Sequence, residues 1–328
     1  MKIAIVGAGW VGCHLSNKLK NKHEIHLYDE KGIFAGTSFK NQNRLHLGYH
    51  YARNFNTRKL CLDTYARFLS DYKKVASDVK KNVYSIPCRE SLLDFKTYLS
   101  IFNKKQFSYQ QTNVPELKGI DGSILVAEKY INPWKAKNYF QKKLNGIFVK
   151  KSFSNKDLKE AIENFDLVIN CTNNFFYPIK EEYFYEKCIV LKYKKIKKTS
   201  FDALTLVDGK LFSIYPYEKD IFTVTSVEHT PWKLCCDEKE LFKDKKISKI
   251  ELRKIIKKFE DVIHVHFPDF NDYFVFDGFF VSTKAKNRNE SSNRNPIISV
   301  EDNLICCYTG KIQGIYCIED FIKLRINK

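Results

Sequence analysis

Residues Gly7-Ala8-Gly9-Trp10-Val11-Gly12 form a G-x-G-x-x-G turn, and the stretches on either side of it are what such a turn requires. Before it, Lys2-Ile3-Ala4-Ile5-Val6 is a short apolar run of the kind that becomes a buried parallel strand. After it, Val11, Leu15 and Leu19 recur at helical spacing, so the glycines open a helix. Residues 23–28 then read as a second strand with Ile25 and Leu27 on one face, ending in Asp29-Glu30. Each piece has a task. Gly7 permits the tight turn, Gly9 lets backbone approach a pyrophosphate, and Gly12 lets the helix pack close to the strand. The helix start offers unpaired N–H groups to phosphates, and an acidic residue about twenty positions on accepts from a ribose hydroxyl. A glycine turn alone arises by chance in many chains. With strand, helix and acid in register, this one reads as a dinucleotide site.

At 328 residues the chain is long enough for two lobes with a substantial core. No apolar run reaches the ~18 residues that a membrane span needs, so no membrane partner is expected. The first strand leaves no room for a signal peptide, and the ten cysteines include no C-x-x-C and no metal-ligand spacing. Reduced thiols, a cytoplasmic protein and no metal site are the expectations. The net charge of +18 comes mostly from lysine, with only nine arginines scattered from Arg44 to Arg325. Lysine, asparagine, isoleucine, phenylalanine and tyrosine are abundant together, which reads as compositional drift across the whole chain. A nucleic-acid surface would gather arginine and lysine on one face, so no nucleic-acid partner is expected. The charge steers anionic small molecules instead.

Further along, Asn41-Gln42-Asn43-Arg44-Leu45-His46-Leu47-Gly48-Tyr49-His50-Tyr51 is dense in side chains that donate, accept or stack. Thr57 is placed to cap a helix carrying Leu60, Phe68, Leu69, Tyr72 and Val75 on its apolar face. Leu92, Phe95, Leu99 and Phe102 mark another helix, and Asn132-Pro133 starts a third. A short strand at 147–149 and a helix at 157–164 lead to Leu167-Val168-Ile169-Asn170-Cys171-Thr172, which reads as a return to the first sheet. Residues 189–193, 203–207, 211–217 and 222–227 are strands of an antiparallel meander, with Asp208-Gly209 as a two-residue hairpin turn. Ser248-x-x-Glu251 opens a helix with Leu252, Ile255, Ile256 and Phe259 inward. The end of the chain repeats the opening pattern, with a strand at 303–308, the turn Thr309-Gly310-Lys311-Ile312-Gln313-Gly314 and a helix at 318–326. That places a second helix start over the same ligand.

Taken together, Gly7–Gly12, Asp29, Ser38, Asn41, the Arg44-x-His46-x-Gly48-x-His50-Tyr51 segment and Gly310-Lys311-Ile312 resemble the D-amino-acid-oxidase-like superfamily of FAD-dependent oxidoreductases. The Asn-x-x-x-Leu-His-x-Gly-x-x-Tyr string followed by Lys59-Leu60-Cys61 is similar to its 2-hydroxyacid dehydrogenase and glycine oxidase branches. The resemblance implies an α/β fold in which a Rossmann-like FAD-binding domain (1–85, 145–180 and 270–328) is interleaved with an antiparallel-sheet substrate domain (86–144 and 181–269). It implies FAD, with the pyrophosphate on Gly7, Ala8, Gly9, Trp10, Val11 and Gly12 and the adenosine ribose on Asp29 or its neighbour Glu30. It also puts Thr37, Ser38, Asn41, Gln42, Arg44 and Leu45 along the flavin chain, Val149 at the adenine, Thr172 at a strand end, and Gly310, Lys311 and Ile312 at the pyrimidine edge. A helix start or a lysine at that edge stabilises the charge that reduction places there.

For the chemistry, His46 and His50 are candidate general bases, since histidine titrates near neutral pH. Arg44 and Arg53 are candidate two-pronged clamps for a carboxylate or phosphate. Tyr193, Tyr215, Tyr217 and His229 come from the meander expected to roof the flavin. Tyr215 and Tyr217 point the same way on a regular strand, and Tyr217 joins His46, His50 and Lys311 as a catalytic candidate. The leading reading is hydride transfer to flavin from a CH–NH or CH–OH carbon of a small anionic substrate. A flavin enzyme acting on a nucleotide sugar without net redox change is the second, and an RNA-associated flavoprotein is the third.

Overall fold

The computed structural model describes residues 1–102, 106–177, 179, 183–235, 247–287 and 294–327. A six-stranded sheet runs in the order Ile297–Glu301, Leu304–Tyr308, Leu167–Asn170, Lys2–Val6, Glu24–Asp29, Phe148–Lys150. Every pairing in it is parallel except that of the edge strand Ile297–Glu301. The chain therefore leaves this sheet and returns to it twice. Its strands are apolar at nearly every position because both faces are covered. Side-chain alternation divides them cleanly. Ile3, Ile5, Leu167, Ile169, Ile305 and Cys307 enter the core under helices Trp10–Leu19, Pro133–Leu144 and Ile315–Ile326. Ala4, Val168, Leu304 and Cys306 enter the opposite one, against Leu158 and Ala161 of helix Asn155–Asn164. Trp10 anchors the first core, with the rings of Phe34, Phe140, Phe68 and Tyr72 at 4.9–5.5 Å.

The second sheet has nine strands and is mostly antiparallel. Its path is Pro231–Cys235, Tyr183–Lys195, Ile221–Ser226, Phe212–Glu218, Ala203–Leu206, Asn82–Pro87, Ile120–Val126 and Tyr109–Thr112, with Phe274–Asn287 also paired to Tyr183–Lys195. Helix Lys249–His266 closes its core through Ile255, Phe259 and Ile263. The two longest strands span both lobes. Tyr185 and Ala285 pack with the first sheet, whereas Leu191 and Phe279, paired further along, pack in the second. Among the described residues no helix is long and apolar enough to cross a membrane, and no disulfide joins the described cysteines; Cys236 lies outside them.

Several local expectations change. The helix Phe55–Tyr72 is capped by Asn54, whose side chain accepts from the Thr57 N–H; Thr57 itself lies buried inside the first turn. Helix Phe95–Ile101 starts after Asp94, so Leu92 falls outside it and is exposed. Asp208-Gly209 does sit in a hairpin, but the register Leu204↔Ile214 leaves residues 207–211 as a longer loop. The cap at Asn132 holds, with its side chain accepting from the Lys135 N–H at 2.9 Å. Replacing Asn132 with Ala leaves that donor unmet and should lower unfolding free energy by about 1 kcal/mol, read as a lower urea midpoint at unchanged m.

Candidate active site

Residues of both large sheets, and Arg44 of a small third sheet in which Arg44–Leu45 and Ala76–Ser77 flank Lys129–Ile131, line a cavity of about 1470 Å³. That exceeds the ~300–1,000 Å³ of a drug-sized pocket, leaving room for a large cofactor and a small substrate together. At one end the glycine turn is built for close backbone approach. Gly7 has φ of +101°, and a Cβ there would lie 2.7 Å from the Cys171 carbonyl oxygen; one at Gly12 would lie 1.9 Å from the Gly7 oxygen. Gly9 caps the first helix with no side chain, so no capping side chain competes with a ligand for the N–H groups of Val11 and Gly12. The Trp10 N–H donates to Ser38 Oγ at 2.9 Å, tying the next loop to this turn. Asp29 is held by three backbone donors, with Ala8 on Oδ2 at 2.9 Å and Lys31 and Gly32 on Oδ1 at 2.8 and 2.9 Å. The carboxylate thus links the glycine turn to the end of the second strand and still lines the cavity.

At the other end, positive groups converge. Arg44 is buried with its guanidinium over the Tyr215 ring at 4.5 Å, and its Nε and Nη2 have no hydrogen-bond partner among the described residues. Lys311 Nζ lies 4.6 Å from the Tyr51 ring centre. Burial, and then the Arg44 charge, pull the Lys311 ammonium down to about 7. His46 and His50 stack at 5.7 Å between ring centres, with Tyr51 edge-on to both. Burial is the main cause holding both imidazoles well below the ordinary histidine value; Lys311 and Arg44 add to it for His46, and Arg44 is the next cause for His50. Both stay neutral at physiological pH. Gln313 Nε2 donates to the His46 carbonyl at 2.6 Å and to that of Cys61 at 3.0 Å, locking the C-terminal turn to the histidine segment.

No protein-family model matches the chain. The FAD-dependent monooxygenase FPY4 of Fusarium mangiferae is 29% identical over 336 residues, covering 96% of this chain and 88% of that protein. Glycine oxidase from Geobacillus kaustophilus aligns with a TM-score of 0.74 at 10% identity, covering 98% of this chain and 93% of that one. Dithionite-reduced L-alpha-glycerophosphate oxidase from Mycoplasma pneumoniae, with FAD bound, aligns at 0.70 and 12% identity over 97% and 91%. The chain shares the fold of these flavin oxidases and is an FAD-dependent oxidoreductase. The residues present fit that cofactor: the glycine turn leaves no room for a side chain at one end of the cavity, and at the other Arg44 has two donor nitrogens without a partner among the described residues.

In this FAD-dependent oxidoreductase the cavity wall includes Gly7, Ala8, Gly9, Trp10, Val11, Asp29, Glu30, Thr37, Ser38, Asn41, Gln42, Arg44, His46, His50, Thr172, Gly310, Lys311 and Ile312. Several of their side chains also hold loops. Asn41 Nδ2 donates to the Thr37 carbonyl at 2.7 Å, and Thr172 Oγ1 to Asn170 Oδ1 at 2.8 Å. Three expected cofactor contacts lie off the wall. Gly12 faces the first strand, Leu45 points from the short strand Arg44–Leu45 into the Trp10 core, and Val149 is exposed beside Tyr28. Tyr217 is a correction. A register shift between Pro216 and Glu218 breaks the alternation, so Tyr215 lies under Arg44 while Tyr217 packs on Trp134 and Phe280. Arg53 pairs with Asp208 away from the cavity, and Tyr193 donates to Glu260 in the second core. His229 is likewise off the wall. Arg294, which lines the cavity, and Glu128, buried behind His46, were not singled out from the sequence. The one signal for Glu128 is a lone acid between the apolar runs Ile124-Leu125-Val126 and Tyr130-Ile131.

The lowered Lys311 value gives a test in solution. Near pH 8 the amine is mostly neutral, and an anion bound beside it favours the charged form and raises its pKa. Anion binding at pH 8 should therefore take up protons, up to about one per site, read with an indicator dye in weak buffer. The uptake should vanish in Lys311→Met.

Proposed function

We propose that this oxidoreductase removes a hydride from a CH–NH or CH–OH carbon of a small anionic substrate. The observation that carries the reading is the buried Arg44, which lines the cavity together with Lys311 and has two donor nitrogens without a partner among the described residues. A buried donor left without an acceptor is costly, and a carboxylate or phosphate offers the matching acceptors. When bound, FAD supplies the two-electron acceptor. The glycine turn and Asp29 would hold its phosphates and ribose, with Gly310, Lys311 and Ile312 at its pyrimidine edge. Arg44 orients the substrate anion, and neutral His46 takes the proton from the substrate's hydroxyl or amine. Lys311 adds positive charge where reduction places negative charge.

The lobe division belongs to the same proposal. Helix Pro133–Leu144 packs in the core of the nucleotide-binding lobe and strand Asn82–Pro87 pairs in the large sheet, which favours a boundary set by core membership. Oxygen insertion is the second reading, supported by the name of the Fusarium mangiferae relative. Neither sugar-nucleotide isomerisation nor RNA association finds support in the relatives above. The test compares turnover of carboxylates with that of their uncharged amides, using a dye or oxygen as acceptor. Strong preference for the anions is expected; equal turnover of both counts against the reading.

A further inference from the structure

Glu128 follows strand Ile120–Val126 and is buried from solvent. Its Oε1 accepts from the N–H groups of Leu47 at 2.6 Å and Gly48 at 3.2 Å, and its Oε2 from the Tyr84 hydroxyl at 2.5 Å. The same Oε2 lies 3.6 Å from Nδ1 of His46, and that nitrogen has no hydrogen-bond partner among the described residues. A buried carboxyl is costly unless its oxygens are satisfied. These are satisfied largely by the peptide segment that carries His46 and His50.

We propose that Glu128 is a positioning residue that holds His46 with its proton on Nδ1 and its Nε2 lone pair free for the substrate. The inference rests on the reading that His46 accepts the substrate's proton. Burial pushes the pKa of the Glu128 carboxyl up, while the Tyr84, Leu47 and Gly48 donors and the Arg44 charge oppose that shift. With three donors already on its oxygens the group acts as an acceptor, and a neutral imidazole has one donor nitrogen and one acceptor. The tautomer with hydrogen on Nδ1 therefore points a donor at Oε2, whereas the other sets two lone pairs against each other across 3.6 Å. A small ring rotation closes 3.6 Å to hydrogen-bonding distance, as such pairs do when a substrate arrives.

None of the other groups near His46 hydrogen-bonds Nδ1 among the described residues. They are Arg44 beside it in sequence, His50 and Tyr51 from the following turn, Lys311 from the C-terminal turn and Tyr84 from the large sheet, whose hydroxyl is given to Glu128. Bound FAD would supply the acceptor for the substrate's C–H hydride, while the substrate's O–H or N–H proton moves to Nε2. The product keeps a C=O or C=N bond, and the imidazolium formed is then paired with the Glu128 carboxylate.

The experiment uses the full-length FAD-loaded chain with 15N-labelled histidine, with the His46 signals assigned by their loss in His46→Asn. The expected result is an Nδ1–H tautomer for His46 in the unmutated protein and its loss or mixing in Glu128→Gln. An Nε2–H tautomer in the unmutated protein overturns the inference without needing any variant to fold. Anaerobic flavin reduction is then followed with glycine, D-alanine, lactate and glycerol 3-phosphate as probes. With the probe that bleaches, Glu128→Gln should slow reduction roughly a hundredfold at little change in probe affinity. The double variant with His46→Asn should be no slower than His46→Asn alone. Undiminished reduction in Glu128→Gln beside a slow His46→Asn overturns the role of Glu128 only. Undiminished reduction in His46→Asn overturns the proton-transfer reading, and the inference with it.

Discussion

Gly12→Ala is expected to yield a chain that purifies without flavin and does not take up added FAD. The methyl group would lie 1.9 Å from the Gly7 oxygen and 3.3 Å from the Ile5 side chain. Neither neighbour has room to move. Gly7 is itself closed in by the Cys171 carbonyl, and its N–H is bonded to the Tyr28 carbonyl at 2.7 Å. The first helix must therefore shift away from the first strand, carrying the open N–H groups off the phosphate position. The loss in stability should be about 3 kcal/mol, at the upper end for overpacking, because backbone and not a side chain has to yield. The measurement is flavin absorbance after dialysis against FAD, with denaturant midpoint alongside. Gly9→Ala is the milder comparison, since its methyl meets the hydroxyl end of Ser38, which can rotate.

The second large effect is at His46. His46→Asn should leave FAD content intact and slow anaerobic flavin reduction by about 10²–10⁴-fold, the range for a lost general base. Its pH dependence carries the sign. A base works unprotonated, so activity is lost as pH falls through its pKa. Burial, Lys311 and Arg44 hold that pKa well below the ordinary histidine value. Reduction rate in the unmutated enzyme should accordingly stay level through neutral pH, with its acid limb well below that value. A limb at or above the ordinary histidine range would assign the proton to another group. Rapid mixing across pH reads both.

Much of this architecture is legible in the residues. Ile3 and Ile5 against Ala4, or Ile305 and Cys307 against Leu304 and Cys306, alternate as strands covered on both faces must. The glycine turn, Asp29, the histidine segment and Lys311 are local patterns, and all reach one cavity. What sequence does not carry is geometry that depends on distant partners. Tyr215 and Tyr217 share a face on a regular strand, and a register shift at Pro216 separates them. Arg53 reads like Arg44 until Asp208 claims it. The weight of Glu128 is visible only once strand pairing sets it beside the peptide of Leu47 and Gly48. Thr57 and Asn54 are both fair caps by type, and the backbone chooses Asn54.

The central claim is that the buried cationic end of the cavity selects an anionic substrate and passes its hydride to FAD. The most direct measurement is anaerobic absorbance of the FAD-loaded protein mixed with amino acids, hydroxyacids and phosphate esters, each beside an uncharged counterpart. The account predicts that one class of anion bleaches the flavin and yields the matching imine, ketone or aldehyde, while its neutral counterpart does not. Bleaching by reduced nicotinamide alone, or equally by charged and uncharged members of each pair, would contradict it.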